Sequence, residues 1–393
     1  MKKMFFLYFI GLHFIVRAQS ISRLDKTTIS FASLDRKIGS LMKAGQVHGL
    51  AITIFNNNEP VYKKAFGYKN VDTKERIKTS TNFYGASLSK AVFATLVMKL
   101  VEDGTIDLDK PLQSYLPKPI YDYAPLKKWH DNYSDLKNDT LHKKITARMC
   151  LTHTTGFANW RWDEKDGKLR VNFAPGTKYS YSGEGLVYLQ VVLEKLLSKS
   201  LEELMEDKMF PPTGMKMSSY QWQPRFEKDY CLGHNPSGKL YQKDKDNDAR
   251  AASTLETTLD DYTIFTKSVL NGSLMKERTR DEMFKTQIRL RSVQQMGPLR
   301  FRDTAANEGI KLGYGLGWGL LHSPYGTGAF KEGHGDGFQH YSIIFPKQKK
   351  GVIIMSNSDN AESIFKELLQ ITLADTFTPW YWENYIPYDY KSK

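Results

Sequence analysis

Two residues that could act together as nucleophile and base, Ser87 and Lys90, lie three positions apart. The apolar run 91–101 that follows them predicts a helix, and residues three apart on a helix share one face. A serine hydroxyl attacks well only when a neighbouring base takes its proton, and a lysine can do so when burial or nearby charge lowers its pKa. Ser87 would also lie at the helix N-terminus, where free N–H groups favour developing negative charge. Taken alone, the pattern favours an ordinary helix start with Ser87 as the N-cap.

A second candidate, Tyr181, lies in a turn over 175–183 that contains proline and glycine and precedes a predicted helix over 184–197. A tyrosine at the mouth of a helix can relay protons if nearby lysine ammonium groups lower its pKa. The alternative is an aromatic side chain that only packs in the turn.

The glycine-rich stretch 333–338 leads into a predicted strand over 341–345. Glycines beside a strand let the backbone approach a ligand closely. A free backbone N–H in this stretch could therefore form an oxyanion hole together with the N–H of Ser87. The alternative is a glycine turn that joins two strands.

The order and spacing of these stretches resemble the serine β-lactamase and penicillin-recognising superfamily, most closely its class C β-lactamase-like branch. That branch also contains D-alanyl-D-alanine carboxypeptidases, D-amino-acid peptidases and esterases. Its first motif, Ser-x-x-Lys, matches Ser87 and Lys90. Its second, Tyr-x-Asn, falls on 181–183, and its third, Lys/His-x-Gly, falls on 334–336. The resemblance extends over about 31–374.

The resemblance implies a role for each matched residue. Ser87 would be the acylated nucleophile and Lys90 its proton acceptor. Tyr181 would relay protons to the leaving group and help activate the deacylating water. His334 would line the strand edge where a substrate carboxylate or carbonyl docks, and the oxyanion hole would use the N–H groups of Ser87 and Gly337.

Two positions depart from the family pattern. Gly183 replaces the asparagine whose amide contacts the substrate and the motif lysine, and Asp336 replaces a glycine. An aspartate that points into the pocket should repel the carboxylate of a β-lactam. Both departures make efficient β-lactamase or carboxypeptidase activity less expected, and an esterase or peptidase with another substrate more expected.

The resemblance implies an α+β, β-lactamase/transpeptidase-like fold, an antiparallel sheet flanked by helices with a mainly helical second lobe. The sheet lobe is expected over about 28–80 and 310–376, the helical lobe over about 87–300, and an aromatic tail over 377–390 is expected to pack back on the body. The hydrophobic spacing predicts helices over 28–44, 145–151, 184–197, 201–209, 259–270 and 361–374, and strands over 48–55, 61–68, 315–321, 341–345 and 351–356.

The composition excludes some classes of protein. The chain has 393 residues, of which 40% are hydrophobic and 25% charged, as in globular proteins. Its net charge of +13 is spread without a clustered basic face, so no nucleic-acid partner is expected.

The N-terminal segment predicts export. Two early lysines, the apolar run 4–16 and Ala18 predict a signal peptide over 1–18 and an exported domain over 19–393, periplasmic or extracellular in a bacterium. An uncleaved anchor is the alternative, but the run is short for a membrane span, so none is expected after cleavage.

Other chemistries fit the sequence less well. The nine histidines include no His-x-x-x-His or other compact ligand set, so neither a metal nor another cofactor is expected. The Gly-x-Ser-x-Gly elbow of α/β-hydrolases is only half matched around Ser87, because Ser89 stands where its last glycine belongs. The acids nearest the motifs, Glu102 and Glu332, are predicted to be surface charges, and His153 is predicted to be structural.

The sequence therefore predicts an exported, metal-independent serine hydrolase that forms an acyl-enzyme on Ser87. Its expected substrate is a small molecule or peptide with an amide or ester bond, a cell-wall-type peptide among the candidates. One alternative is a true class C-type β-lactamase. Another is a non-catalytic homologue that serves as a binding or sensing module.

Overall fold

The computed structural model describes residues 19–128, 130–246 and 248–390. Within these ranges the strands, in chain order, are β1 (Ser20–Ser22), β2 (Thr28–Ser30), β3 (Gly49–Asn56), β4 (Glu59–Asn70), β5 (Glu75–Arg76), β6 (Asn82–Tyr84), β7 (Glu256–Thr258), β8 (Ile288–Arg289), β9 (Gly313–Tyr314), β10 (Gly319–Ser323), β11 (Gly326–Gly335), β12 (Phe338–Phe345) and β13 (Lys350–Ser356). The main sheet has the order β5-β4-β3-β13-β12-β11-β10-β9-β8, and all its neighbouring strands are antiparallel. Strand β1 pairs with β2, and β6 pairs with β7.

The helices flank this sheet. In chain order they are α1 (Phe31–Ala44), α2 (Ser89–Glu102), α3 (Ala147–Leu151), α4 (Gly183–Leu197), α5 (Leu201–Lys208), α6 (Phe210–Thr213), α7 (Leu259–Asn271), α8 (Glu277–Met283) and α9 (Glu362–Leu373). The predicted α+β architecture, an antiparallel sheet flanked by helices, is confirmed. No helix of the described residues is long and apolar enough to cross a membrane. The predicted signal peptide, 1–18, lies outside the described residues.

The side chains of β3 show how the sheet separates two hydrophobic clusters. Leu50, Ile52 and Ile54 point to the cluster that contains the apolar faces of α1 and α9. Ala51 and Phe55 point to the cluster that contains α2 and α4. Because successive side chains of a strand point to opposite faces, an uninterrupted apolar strand must be covered on both sides. Each fully buried leucine, isoleucine or phenylalanine side chain contributes roughly 1.5–3 kcal/mol of burial free energy.

The strand predicted over 315–321 is Gly319–Ser323, because 316–318 form a bend before it. Other segments also differ from the prediction. The helix predicted to begin at Thr28 begins at Phe31, because 28–30 form β2 and the Ser30 hydroxyl caps the helix. The strand β11 was not predicted, because the density of glycine in 326–337 breaks the alternation of apolar and polar residues on which a strand prediction depends. It is ten residues long and turns into β12 through Asp336 and Gly337.

The aromatic tail packs on the body as predicted. Trp380, Trp382 and Tyr385 are buried in the cluster beneath α9, and the N–H of Gln295 donates to the carbonyl of Trp382 at 2.7 Å. The tail therefore belongs to the folded domain. Glu383, in the middle of the tail, lines the same cavity as Ser87.

Candidate active site

Ser87 lies on a single 3₁₀ turn, Ala86–Leu88, between β6 and α2. The backbone just before the turn is fixed, because the N–H of Gly85 donates to the carbonyl of Leu255 at 2.7 Å. Ala86 has a φ of +46°, a conformation that is disfavoured for residues with a Cβ and is found most often at functional sites. The strained residue directly precedes the candidate nucleophile.

Lys90 lies within hydrogen-bond distance of this nucleophile. Its Nζ is 2.9 Å from Ser87 Oγ and 2.7 Å from the carbonyl oxygen of Ala252. Burial, and secondly the positive charge of Lys331, hold the pKa of Lys90 well below its usual value, while Glu332 acts in the opposite direction. The lowered pKa favours the neutral amine of Lys90, which is the form that can accept a proton from Ser87.

Tyr181 is buried against both lysines. Its ring centroid is 4.8 Å from Nζ of Lys90 and 5.0 Å from Nζ of Lys331, and its hydroxyl accepts a hydrogen bond from Nζ of Lys331 at 3.4 Å. Burial raises the pKa of Tyr181, and the charge of Lys331 opposes this rise without overcoming it. Tyr181 is thus a neutral phenol that can pass a proton on, and the basic group beside Ser87 is Lys90.

Lys331, which the sequence interpretation missed, completes the cluster from β11. Its Nζ lies 3.4 Å from Tyr181 Oη, 3.5 Å from Tyr314 Oη and 3.0 Å from Glu332 Oε1. Burial acts to lower the pKa of Lys331, but Glu332 and Tyr181 outweigh it and raise the pKa, so the ammonium keeps its charge. The signal was present in the sequence, since Lys331-Glu332-Gly333 fits the pattern Lys/His-x-Gly, three residues before the stretch chosen for it.

Glu332 corrects a prediction, because it is only 6% exposed and is not a surface charge. Its Oε1 accepts hydrogen bonds from Lys331 and from Gln295, the latter at 2.9 Å. Burial raises the pKa of Glu332, but the ion pair with Lys331 more than compensates and lowers it. The strand β11 therefore brings a paired cation and anion to the site.

The residues predicted as the third motif, 334–336, do not all line the cavity of Ser87. His334 is 58% exposed, and its Nδ1 lies 2.5 Å from Oε1 of Glu362, which raises the pKa of His334. It lines the same cavity as Ser87. The N–H of Gly337, predicted to serve the oxyanion hole, donates instead to Asp359 Oδ1 at 2.8 Å.

Asp336 lies at the tip of the hairpin and lines a neighbouring cavity of about 290 Å³. It does not line the cavity of about 510 Å³ that contains Ser87. Arg250 and Tyr84 line both cavities. Repulsion of a substrate carboxylate by Asp336 would thus act from the adjoining cavity and not from beside Ser87.

Two glycines let β11 approach the turn that carries Ser87. A Cβ on Gly333 would lie 2.9 Å from the carbonyl oxygen of Gly85, and one on Gly335 would lie 2.6 Å from the Tyr84 ring. The two-residue turn makes Gly335 and Phe338 a hydrogen-bonded pair, so the N–H of His334 points away from β12. It points to the strand edge that β10 leaves uncovered, because that pairing ends at Phe330.

His153 contacts two residues of the second motif, Tyr181 and Ser182. Nδ1 of His153 lies 3.1 Å from the backbone nitrogen of Ser182, and the two rings of His153 and Tyr181 are 4.4 Å apart. Burial, followed by the charges of Lys331 and Lys90, holds the pKa of His153 well below its usual value. A neutral, fully buried imidazole of this kind positions Tyr181, which agrees with the structural role predicted for it.

Comparison with known proteins places the chain among relatives of low identity. A family model described as Beta-lactamase matches residues 34–375. Protein Flp of Staphylococcus aureus (strain MW2) is 21% identical over 346 residues, which cover 84% of this chain and 64% of Flp. Lovastatin esterase of Penicillium rubens is 26% identical over 336 residues (73% and 82%), and penicillin-binding protein 4* of Bacillus subtilis is 23% identical over 329 residues (76% and 66%). The chain thus spans 64% of the length of Flp.

Solved structures share the fold. An octameric penicillin-binding protein homologue from Pyrococcus abyssi superposes with a TM-score of 0.69 at 20% identity, covering 87% of this chain and 77% of that one. The D-alanine carboxypeptidase AmpC from Burkholderia cenocepacia superposes with a TM-score of 0.64 at 22% identity, covering 83% and 93%.

Proposed function

Because the chain belongs to the beta-lactamase family, we propose that it is a serine hydrolase that forms an acyl-enzyme on Ser87. The observation that carries the proposal is the 2.9 Å contact between Ser87 Oγ and the buried Nζ of Lys90. Burial lowers the pKa of Lys90 and so favours the neutral amine, which is the form that accepts a proton. The relatives named as an esterase and as a D-alanine carboxypeptidase support hydrolysis of an ester or amide.

Acylation uses three side chains. Ser87 Oγ bonds to the substrate carbonyl carbon while its proton passes to Nζ of Lys90. The resulting oxyanion is stabilised by the backbone N–H groups of Ser87 and His334, which take the place of the predicted pair with Gly337. As the bond to the leaving group breaks, the proton reaches that group through the hydroxyl of Tyr181.

Deacylation reverses these transfers with water in place of the leaving group. The water oxygen bonds to the acyl carbon, and its proton passes through Tyr181 to Lys90. The bond from the acyl carbon to Ser87 Oγ then breaks, and Ser87 regains a proton from Lys90. The positive charge of Lys331 helps Tyr181 to bear partial negative charge during each transfer.

The pairing of the cations on β11 favours an ester or an uncharged amide over a β-lactam. Lys331 is paired with Glu332, and His334 is paired with Glu362. Neither cation is therefore available, without breaking an ion pair, to hold a carboxylate such as that of a penicillin. Cell-wall-type peptides remain substrates to test, provided that their carboxylates are bound elsewhere.

The test is intact mass of the protein after a fluorophosphonate probe and, separately, after a penicillin. The wild type should gain one phosphonate, and Ser87→Ala should gain none. Ser253→Ala is the matched control, because Ser253 is the other serine of the same cavity, and it should still be labelled. A phosphonate on Ser87→Ala, or no phosphonate on the wild type, would refute the proposal. A penicilloyl adduct would move the substrate class to β-lactams or cell-wall peptides.

Export remains part of the proposal. The mature chain is expected to begin at Gln19, after cleavage behind Ala18. Cell fractionation and the mass of the purified protein test this. Recovery in the cytoplasm alone would indicate no export, and an intact N-terminus on protein from the cell envelope would indicate an uncleaved anchor.

A further inference from the structure

Position 183 has no room for the side chain that the second motif usually carries. A Cβ on Gly183 would lie 2.6–2.9 Å from three ring carbons of Trp160. Trp160 in turn stacks on Trp162, with ring centroids 4.9 Å apart and planes 13° apart. The tryptophan thus occupies the space into which an asparagine at 183 would extend.

An asparagine from another part of the chain lies beside the backbone of Gly183. The backbone N–H of Gly183 donates to Oδ1 of Asn159 at 3.0 Å. This contact fixes the orientation of the carboxamide, because the oxygen must face the N–H donor and Nδ2 must face away. Asn159 lines the cavity that contains Ser87, Lys90 and Tyr181, and among the described residues its Nδ2 donates to no protein acceptor.

The backbone of Asn159 is fixed to the start of α4. The N–H of Glu184 donates to the carbonyl of Asn159 at 3.0 Å, and the Ser182 hydroxyl donates to the carbonyl of Ala158 at 2.8 Å. On the other side, the Arg161 guanidinium forms two hydrogen bonds of 2.8 Å with the Glu184 carboxylate. Both side chains of this ion pair are at least nine-tenths buried. These contacts fix the loop that carries Asn159 to the start of α4.

We propose that Asn159 supplies the carboxamide that position 183 lacks and that its Nδ2 donates a hydrogen bond to a second carbonyl in the acyl part of the substrate. This rests on the proposed acyl-enzyme on Ser87. The substrate class is then an ester or amide of an N-acylated amino acid, or of another acid with a carbonyl two or three atoms from the scissile one. The stacked Trp160 and Trp162 form the apolar wall on which the rest of that acyl group lies.

The experiment compares two p-nitrophenyl esters of equal chain length, the N-acetylglycinate and the pentanoate. Only the N-acetylglycinate has an amide, and therefore a second carbonyl, in its acyl chain. The measured quantity is the ratio of their kcat/KM values, and its change between variants cancels the different intrinsic reactivity of the esters. Asn159→Asp keeps an oxygen for the N–H of Gly183 but has no donor for the substrate. The ratio should fall by about tenfold or more in Asn159→Asp.

Asn384→Asp is the matched control. It places the same negative charge in the same cavity, from the tail, and should leave the ratio as in the wild type. A ratio unchanged in Asn159→Asp, or lowered equally in Asn384→Asp, would overturn the role of Asn159. If Asn159→Asp lacks a cooperative thermal transition, the same ratio is measured on Asn159→Ala. Labelling by the fluorophosphonate separates the two proposals, because a labelled enzyme with an unchanged ratio refutes only this one, and an unlabelled wild type refutes both.

Discussion

The charge of Lys331 should set the pH at which Ser87 becomes reactive. Nζ of Lys331 and Nζ of Lys90 lie 5.0 and 4.8 Å from the Tyr181 ring centroid. The two nitrogens are thus within about 10 Å of each other, where two unit charges repel by about 1.7 kcal/mol at an effective dielectric constant near 20. Lys90 acts as a neutral amine, so reactivity is lost as the pH falls through its pKa. Removing the charge in Lys331→Met raises the pKa of Lys90 and should move this acidic limb up by about one pH unit.

The assay is the rate of fluorophosphonate labelling of Ser87 from pH 5 to pH 10. Glu332→Gln is the matched opposite change, because the negative charge of Glu332 acts to raise the pKa of Lys90. Its acidic limb should move to lower pH. The reasoning is refuted if the limb of Lys331→Met stays in place, or if both variants move in the same direction. The midpoint is the informative quantity, since the plateau rate also depends on the contact between Lys331 and Tyr181.

Two further predictions concern stability. Gly183→Ala should lower the free energy of unfolding by about 1–3 kcal/mol, because its Cβ would meet the Trp160 ring, whereas Gly309→Ala, with no atom within 4 Å of its Cβ, should change it by less than about 0.5 kcal/mol. Equal effects of the two in urea denaturation would contradict the packing argument. Burial raises the pKa of Glu256 to about 7, although the ion pair with Lys243 acts against the rise. Folding therefore binds a proton at Glu256 between about pH 4.5 and 7, and the stability of the wild type relative to Glu256→Gln should fall by roughly 3 kcal/mol as the pH rises through this window. A difference that grows with pH would show that the folded carboxyl has a lowered pKa.

The strongly periodic segments were predictable, because burial of one face imposes a regular spacing on the sequence. The helix predicted over 184–197 is Gly183–Leu197, and the strand predicted over 351–356 is Lys350–Ser356. The strand β11 was not predictable. Its glycines allow its backbone to lie close to Gly85, and they leave no alternation of apolar and polar residues. Without this strand, the sequence prediction placed the third motif at His334 and did not include Lys331, whose Nζ contacts Tyr181.

The contribution of Asn159 could not have been predicted from local sequence. It stands in an irregular loop, and its place beside Gly183 depends on hydrogen bonds to residues more than twenty positions later in the chain. The ion pair between Arg161 and Glu184 that holds this loop is equally non-local. Chemistry-bearing residue types at fixed spacing are visible in a sequence, but a side chain brought by a loop becomes visible only with tertiary contacts.

The order of strands in the main sheet also constrains how the protein can fold. The partners of β3 are β4, which follows directly, and β13, in which Gly351 pairs with Phe55. During synthesis the first strands therefore leave the ribosome long before the strand that covers their open edge exists. Contacts so distant in sequence make folding slow, because a long loop must close before the pairing stabilises it. A fragment that ends before Lys350 lacks β13 and would expose β3 as an apolar edge, so such a fragment is expected to aggregate.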